Sequence, residues 1–324
     1  MSTRRVLLTG AGGFVGAVLA RRLLEEGCEV HVLLRPGSDS WRLREIQDAF
    51  TAHEADLREP LSVRAVVAAA AADWVFHLAA HGAYSWQTDA RGIIESNVLG
   101  TLNLLDACAE RGFEAFVHAG SSSEYGFKDH APREEEAPEP NSDYAVAKVA
   151  ATMLCRQRAV LHDLHIATLR LYSVYGPWED PRRLVPRLVA HALCGRMPPL
   201  VDPDTARDFV HVDDVCDAFL LAARTRVAGS SAIYNVGSGA QTSLRAAVEV
   251  VSRRFGLRDE PRWGSHEARA WDTSVWVANP EKIERELGWR AHRGLERGIA
   301  ELADWLLCHP ELHGRYGCAG ASDA

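Results

Sequence analysis

The chain lacks several things, and each absence narrows what it does. It has no excess of positive charge: 36 Lys and Arg against 44 Asp and Glu give a formal net charge of −8. Nucleic-acid binding needs a basic face to neutralise phosphates, so this balance argues against it, while a local basic pocket for a small phosphorylated ligand stays open. No apolar run approaches the length of a membrane span. The 7 cysteines, at 28, 108, 155, 194, 216, 308 and 318, form no Cys-x-x-Cys and no Cys/His cluster at metal spacing, so no metal site is expected. Their odd number and mostly apolar surroundings read as free thiols in a reducing cytoplasm. The opening MSTRRVLLTG has too short an apolar run for a signal peptide and reads as a first strand. Internal repeats and low-complexity tracts are missing as well.

What is there is an alternation of strands and helices. Val6–Thr9 leads through GAGGFVG into AVLARRLLEEG, whose apolar residues recur at helical spacing until Gly27. Strands are expected at Glu29–Leu34, Trp74–Leu78, Ala115–His118 and Ile166–Leu171. Helices are expected at Ile94–Arg111, with Val98, Leu102, Leu105 and Ala109 on one face, and at Ser142–Leu161. Such alternation implies parallel pairing and right-handed crossovers: an α/β class, a doubly wound parallel Rossmann sheet. Prolines from Pro177 onward loosen the pattern, although Val212–Ala223, Ser243–Phe255 and Leu295–Leu307 still read as helices. The expected division is a Rossmann domain over 1–172, then a smaller substrate-binding lobe over 173–308 that returns some elements to the main sheet. A flexible, Gly- and Ala-rich tail is expected over 309–324.

The glycine turn directly follows a strand and opens a helix. Gly10 permits a tight turn, Gly13 lets backbone approach a pyrophosphate, and Gly16 lets helix and strand pack closely. These three, with Phe14 and Val15, are the expected dinucleotide contacts. The second strand lacks the acidic end usual for NAD: GCEVHVLLRPGSD runs from Leu34 straight into Arg35. A carboxylate there would repel the 2′-phosphate of NADP, and an arginine attracts it. Arg35 with Ser38 therefore favours NADP(H); the alternative is NAD(H), with Arg35 stacked on the adenine. Asp56, next to Leu57, is either a carboxylate for the adenine amine or an N-cap. Leu78, Ala79 and Ala80 of HLAA lie where the cofactor would pass.

Tyr144 and Lys148 lie four apart in a helix and share one face. A lysine ammonium near a phenol favours phenolate, so Tyr144 is a candidate general acid or base. GSSSEYG at 120–126 places hydroxyls at a strand's carboxyl edge. Together TGAGGFVG, HLAA, NVLGTLNLLDA, GSSSEYG, YAVAK, LRLYSVYGP, RDFVHVDDV and YNVGSG resemble, in order, the extended short-chain dehydrogenase/reductase family, in its nucleotide-sugar epimerase, dehydratase and ketoreductase branch. The resemblance spans nearly residues 4–290. It implies a Ser-Tyr-Lys set of Ser121, Tyr144 and Lys148, with Ser122 the other candidate serine, and Lys148 also binding the nicotinamide ribose.

For the substrate, the resemblance implies a nucleotide-diphosphate sugar held by Arg207, with Arg269 as a second arginine and Arg182 or Arg183 covering the nucleotide. Ser173 stands where many relatives place a diphosphate-holding asparagine. His81, Tyr84, Ser85 and Trp86 should overhang the sugar, beside Ser122, Ser123 and Glu124. Dehydratases of this kind carry a glutamate two positions before Tyr-Gly; here that position is Ser123, and Glu124 is one step off, which in a strand-like segment turns it to the other face, where it is either structural or bound to another part of the sugar. Dehydration is therefore demoted. NADPH-dependent reduction of a 4-keto(-6-deoxy) nucleotide sugar is the favoured reading. An NAD-retaining 4-epimerase is the alternative, and a non-catalytic cofactor sensor comes last. Relatives of this kind imply a homodimer.

Overall fold

The computed structural model describes residues 3–84, 86–226, 232–258, 261–264 and 275–317. Strands β1 (Arg5–Thr9), β2 (Glu29–Leu34), β3 (Thr51–Glu54), β4 (Trp74–His77), β5 (Ala115–Ser121) and β6 (Ile166–Leu171) alternate with helices along the first half of the chain. The helices are α1 (Phe14–Glu25), α2 (Pro60–Ala70), α3 (Ala90–Ile94), α4 (Gly100–Arg111) and α5 (Asp143–His162). Beyond them come β7 (Ser173–Tyr175), α6 (Leu184–Leu193), β8 (Ala206–Arg207), β9 (Phe209–His211), α7 (Val212–Arg224) and β10 (Ala232–Val236). The chain ends with β11 (Thr242–Ser243), α8 (Leu244–Phe255), α9 (Glu281–Leu287), α10 (Leu295–Cys308) and α11 (His313–Tyr316).

Seven strands form one sheet in the order β3-β2-β1-β4-β5-β6-β10, with every neighbouring pair parallel. Strand order reverses between β1 and β4, and ligands of such sheets bind outside the strand ends at that switch point. All but the exposed edge strand β3 are buried on both faces, which is why they read as largely apolar runs. On one face α1 and α7 pack through Ala17, Leu19, Ala20, Leu23, Val215 and Phe219. On the other, α2 and α4 pack through Val63, Val67, Leu104 and Cys108. A second apolar cluster, Leu188, Val189, Val251, Ile299, Leu302 and Leu306, joins α6, α8 and α10. No described helix is long and apolar enough to cross a membrane.

Two sequence expectations need correction. The long helix starts at Ala90 and contains a π-helical turn at Glu95–Leu99. The wider turn shifts the phase of the helix, so its buried face is Thr101, Leu104, Leu105, Ala107 and Cys108 rather than the row beginning at Val98. The tail is not loose over 309–317. Tyr316 is buried and its hydroxyl donates to the Glu179 carbonyl at 2.6 Å, which docks α11 on that second cluster. Residues 318–324 lie outside those described.

Asp214 shows how the second half is held without regular alternation. Its buried carboxylate accepts the His292 and Arg293 backbone N–H groups at 3.0 and 2.9 Å and Arg293 Nη1 at 2.8 Å, while its carbonyl accepts Trp289 Nε1 at 2.8 Å. Asp214→Ala leaves two backbone donors and a guanidinium without their acceptor. It should lower stability by about 3–5 kcal/mol, read as a fall in the urea unfolding midpoint. An unchanged midpoint would remove this carboxylate from the forces holding α7 to the segment before α10.

Candidate functional site

The site is built at the switch point. Gly10 has φ +76°, and a Cβ there would stand 2.5 Å from the Ala79 nitrogen. A Cβ on Gly16 would stand 2.2 Å from the Gly10 carbonyl oxygen. The Gly13 N–H donates to that same carbonyl at 3.0 Å. Only glycines allow β1, the turn and α1 to approach this closely. Gly13 caps α1 without any side-chain bond, so the N–H groups of the first turn, at Phe14 and Val15, point from an open cradle. The geometry fits a pyrophosphate.

Leu34 ends β2, and Arg35 follows it exposed. The Ser38 N–H closes a tight turn onto the Arg35 carbonyl at 3.1 Å, with Gly37 at φ +69°. Asp56 does not cap α2, whose N-cap is Glu59. Instead both Asp56 oxygens accept from Arg58, at 2.6–3.1 Å. Arg58, with a smaller contribution from Arg35, holds the Asp56 carboxyl below its ordinary range. The Leu57 carbonyl accepts Asn103 Nδ2 at 2.8 Å, which pins this loop to α4.

Behind HLAA, His77 is buried and hydrogen-bonded to Thr9 at 2.7 Å and Thr101 at 2.9 Å. Thr9 Oγ1 also accepts the Ala79 N–H at 3.3 Å, so Leu78, Ala79 and Ala80 run along the end of β1. Asn97, buried in the π-helical turn, accepts the His81 N–H and donates to the His81 carbonyl, both at 2.7 Å. The extra helical residue thus fixes the start of the loop carrying Tyr84 and Trp86.

Ser121 ends β5, and its hydroxyl accepts the Ser123 N–H at 3.1 Å. Ser142 caps α5 through the Ala145 N–H, which sets the phase that points Tyr144 and Lys148 toward Ser121. Lys148 Nζ donates to the Ala119 carbonyl at 2.9 Å and lies 5.8 Å from the Tyr144 ring centroid. Burial pushes the Tyr144 phenol up to about 12, against the pull of the Ser121 hydroxyl and of Arg183. The expectation that Lys148 favours phenolate is therefore corrected for the chain by itself. Lys148 is spent on a strand carbonyl, and burial drives its own pKa down to about 8.

Glu124 is corrected too. It is fully buried, its oxygens bonded to Arg170 Nε at 2.9 Å, the Ser121 N–H at 2.9 Å and the Thr152 hydroxyl at 3.0 Å. A carboxylate so enclosed cannot touch a sugar. Ser122 is buried beside it, and Ser123 is half-exposed.

Across the cleft, Arg207 is half-buried at the end of β8, 5.6 Å from the Trp276 ring, with Nη1 donating to the Ala206 carbonyl at 2.7 Å. Asp208 is no surface partner for it. Its buried carboxylate accepts from Ser238, Gly239 and Ala278 backbone N–H groups at 2.7–3.0 Å. The Ser173 N–H donates to the Asp208 carbonyl at 3.0 Å, placing the start of β7 beside this arginine. Arg182 is paired with Asp180 at 2.7 Å and stacks on Trp86, 3.9 Å from its ring. Arg183 lies 5.3 Å from the Tyr84 ring and bears electrostatically on Tyr144. Ser85 and Arg269 lie outside the described residues.

Two groups carry no signal in the sequence. Arg42 is buried, with Nε donating to the Trp178 carbonyl at 2.6 Å and Nη1 to the Gly12 carbonyl at 3.3 Å, so it ties the glycine turn to the loop between β7 and α6. Glu179, on that same loop, is buried with one oxygen unpartnered, and burial pushes it up to about 8.

A turn for pyrophosphate at the switch point of a parallel sheet, with a serine, tyrosine and lysine at the next strand end, is a nicotinamide-enzyme arrangement. The model of the NAD dependent epimerase/dehydratase family matches residues 6–237. The chain belongs to that family. Within it, the UDP-glucose 4-epimerase of Mycolicibacterium smegmatis is 32% identical, over 93% of this chain and 98% of its own. The dTDP-glucose 4,6-dehydratase of Streptomyces griseus is 29% identical, over 95% of each. Among solved structures, MoeE5 in complex with UDP-glucuronic acid and NAD is 33% identical, with a TM-score of 0.81, over 94% of this chain and 99% of that one.

The Lys148 shift predicts how this family member responds to pH without cofactor. Its folded pKa of about 8 lies below the ordinary 10.5, so the unfolded chain binds more protons between those values. Native stability should therefore rise with pH across that window, with the full penalty standing below about pH 8. Lys148→Met removes the effect. Relative to that variant, the wild type should gain about 2 kcal/mol between pH 7 and 9.5 in urea unfolding. A constant difference would mean that Lys148 is not desolvated.

Proposed function

We propose that this protein is a nucleotide-sugar 4-epimerase that retains NAD. The observation that carries this reading is the Tyr144 phenol as the acid–base group beside Ser121, while, among the described residues, the adjacent carboxylate of Glu124 is committed to Arg170. One such group serves oxidation and re-reduction at a single carbon. A 4,6-dehydratase also moves protons at C5 and at the leaving hydroxyl, and Ser123 offers no carboxyl for that. The likeness to a UDP-glucose 4-epimerase and to a protein solved with UDP-glucuronic acid and NAD supports the substrate class and the cofactor.

In this reading Gly10, Gly13 and Gly16 seat the pyrophosphate, and Asp56 and Leu57 lie toward the adenine. Arg207, assisted by Arg183 and Ser173, takes the substrate diphosphate. A guanidinium fork matches phosphate oxygens. His81, Ser122 and Ser123 border the sugar. Ser121 hydrogen-bonds the reacting oxygen, and Tyr144 takes its proton and later gives it back. Lys148 holds the nicotinamide ribose. When bound, the nicotinamide supplies a hydride acceptor and then a hydride donor. Exposed Ile94, Leu99, Val146, Val160 and Leu161 on α3, α5 and the turn between α3 and α4 fit a homodimer through these helices. Free thiols and an NAD-linked reaction fit the cytoplasm.

Tyr144→Phe should lower kcat by about a hundred- to ten-thousandfold, since it removes the oxygen that exchanges the proton. Retained NAD, read as absorbance of the purified protein, should be unchanged. Wild-type interconversion of UDP-glucose and UDP-galactose, or of the corresponding uronic acids, by this variant would overturn the reading.

One observation favours a second reading, an NADPH-dependent 4-keto reductase. Arg35 is exposed at the end of β2, and its guanidinium takes no hydrogen bond among the described residues. On that reading NADPH is preferred to NADH by at least about tenfold, one charge-assisted hydrogen bond being worth roughly 1.5–3 kcal/mol. Arg35→Ala should then erase most of the preference. Stoichiometric NADPH oxidation by a 4-keto nucleotide sugar would establish the reductase. Isomer interconversion with no net cofactor consumption would establish the epimerase, with Arg35 against the adenine.

A further inference from the structure

Tyr144, Lys148 and Thr152 stand at intervals of four on α5 and share one face. Glu124 lies across the gap from this face, on the turn that follows β5. One of its oxygens accepts both the Ser121 N–H at 2.9 Å and the Thr152 hydroxyl at 3.0 Å. The other is paired with Arg170 Nε at 2.9 Å. Arg170 reaches further, from β6 to the Tyr125 hydroxyl at 2.8 Å and the Glu134 carbonyl at 3.2 Å. Tyr125 in turn donates to Asn235 of β10 at 2.7 Å. All of these side chains are buried except that of Tyr144, which is half-buried at the cleft. Gly120 makes the room: a Cβ there would stand 2.8 Å from the Glu124 carboxylate oxygen.

We propose that Glu124 is a positioning residue, a carboxylate clamp that fixes the strand end bearing Ser121 against the helix face bearing Tyr144 and Lys148. The proposal rests on the Ser121–Tyr144–Lys148 reading above. A single oxygen holding a donor from each element sets their separation, and the ion pair with Arg170 prevents that oxygen from swinging away. Two anchors on one carboxylate constrain the serine–tyrosine distance more tightly than apolar packing does, because hydrogen bonds are directional. Arg170 from β6, Lys148, Tyr144 and Cys155 from α5, and Tyr125 from the same turn are the titratable or charged groups facing the clamp. The Glu124 charge raises both Tyr144 and Lys148, so the clamp also tunes the groups that it positions.

The test uses the full chain loaded with NAD, with UDP-glucose as the probe substrate. Thr152→Val is isosteric, leaves the ion pair intact and removes one anchor. It should lower kcat on the order of tenfold, well inside the hundredfold that a 1 Å misplacement can cost, with KM unchanged and a melting temperature lowered by a few degrees, kcat being read well below the melting transition. Thr152→Ser keeps the donor and should restore kcat. Glu124→Gln should move the titration of Tyr144 to lower pH, followed by 13C NMR of ring-labelled tyrosine with Tyr144→Phe for assignment. Wild-type kcat in Thr152→Val, or a loss that Thr152→Ser does not rescue, overturns the clamp whether or not Glu124→Gln folds. Tyr144→Phe separates the two claims. If it is inactive while Thr152→Val is normal, only the clamp fails; if it turns over normally, the catalytic reading fails.

Discussion

Everything at this site depends on how closely the end of β1 can approach the end of β4. Gly10 leaves no atom where a Cβ would meet Ala79, and Gly16 leaves none where one would meet the Gly10 carbonyl. That closeness brings Thr9 within hydrogen-bonding distance of His77 and of the Ala79 N–H, which sets the path of HLAA. HLAA leads to His81, and His81 is held on both sides by Asn97 in the π-helical turn. The sugar-side loop therefore takes its position from the glycine turn through a chain of short contacts. A methyl group at Gly10 would push on all of them at once.

The parts of the chain outside the sheet order are held by a different device. Asp208 and Asp214 are buried carboxylates that collect donors from distant segments of the second half, and Glu124 does the same within the first half, between β5, α5 and β6. Burial pushes Glu124 and Asp208 up, and the donors around them pull back. Such groups tolerate burial only when their lone pairs are satisfied, so each defines a unique arrangement of the strands and loops that supply the donors. This is why the chain beyond Tyr172 can abandon strict alternation of strand and helix and still build a defined cleft wall. Asp208 is the clearest case: the residue next to a candidate diphosphate arginine holds the loop at 238–239 and the Ala278 N–H in place.

Elements with a clean period were legible in the sequence. Glu29–Leu34 and Ile166–Leu171 have the bounds that their apolar runs imply, and Ser142 and Ser243 are N-caps. The helix before β5 was legible in its end at Arg111 but not in its start or its phase, because a π-helical turn leaves no compositional mark. Within the site, the spacing of Tyr144 and Lys148 already put them on one face. What they do to each other was not legible: the lysine's acceptor, the Ala119 carbonyl, belongs to another element. Glu124, one step off the glutamate position of dehydratases, left two readings open, structural or sugar-binding, and the structural one holds. Its actual partner, Arg170, sits 46 residues away on β6, and no local pattern reports that distance. Arg42 escaped for the same reason, with partners at Gly12 and Trp178.

The electrostatics of the cleft bear on how one tyrosine can act in both directions. Burial keeps Tyr144 protonated near neutral pH and brings Lys148 down to about 8, so neither group is poised as a strong base by the protein's own charges. The Glu124 carboxylate adds to the upward push on the phenol, while Arg183 and the Ser121 hydroxyl oppose it. A phenol in this balance responds strongly to one further charge, because the surroundings screen little. The oxidised nicotinamide ring carries a positive charge and the reduced ring carries none. On the proposed reading, a bound oxidised ring would make Tyr144 the better base toward a hydroxyl, and a reduced ring would leave it the better acid toward a carbonyl. Reversibility would then follow from burial and one cationic charge, with no second carboxyl needed.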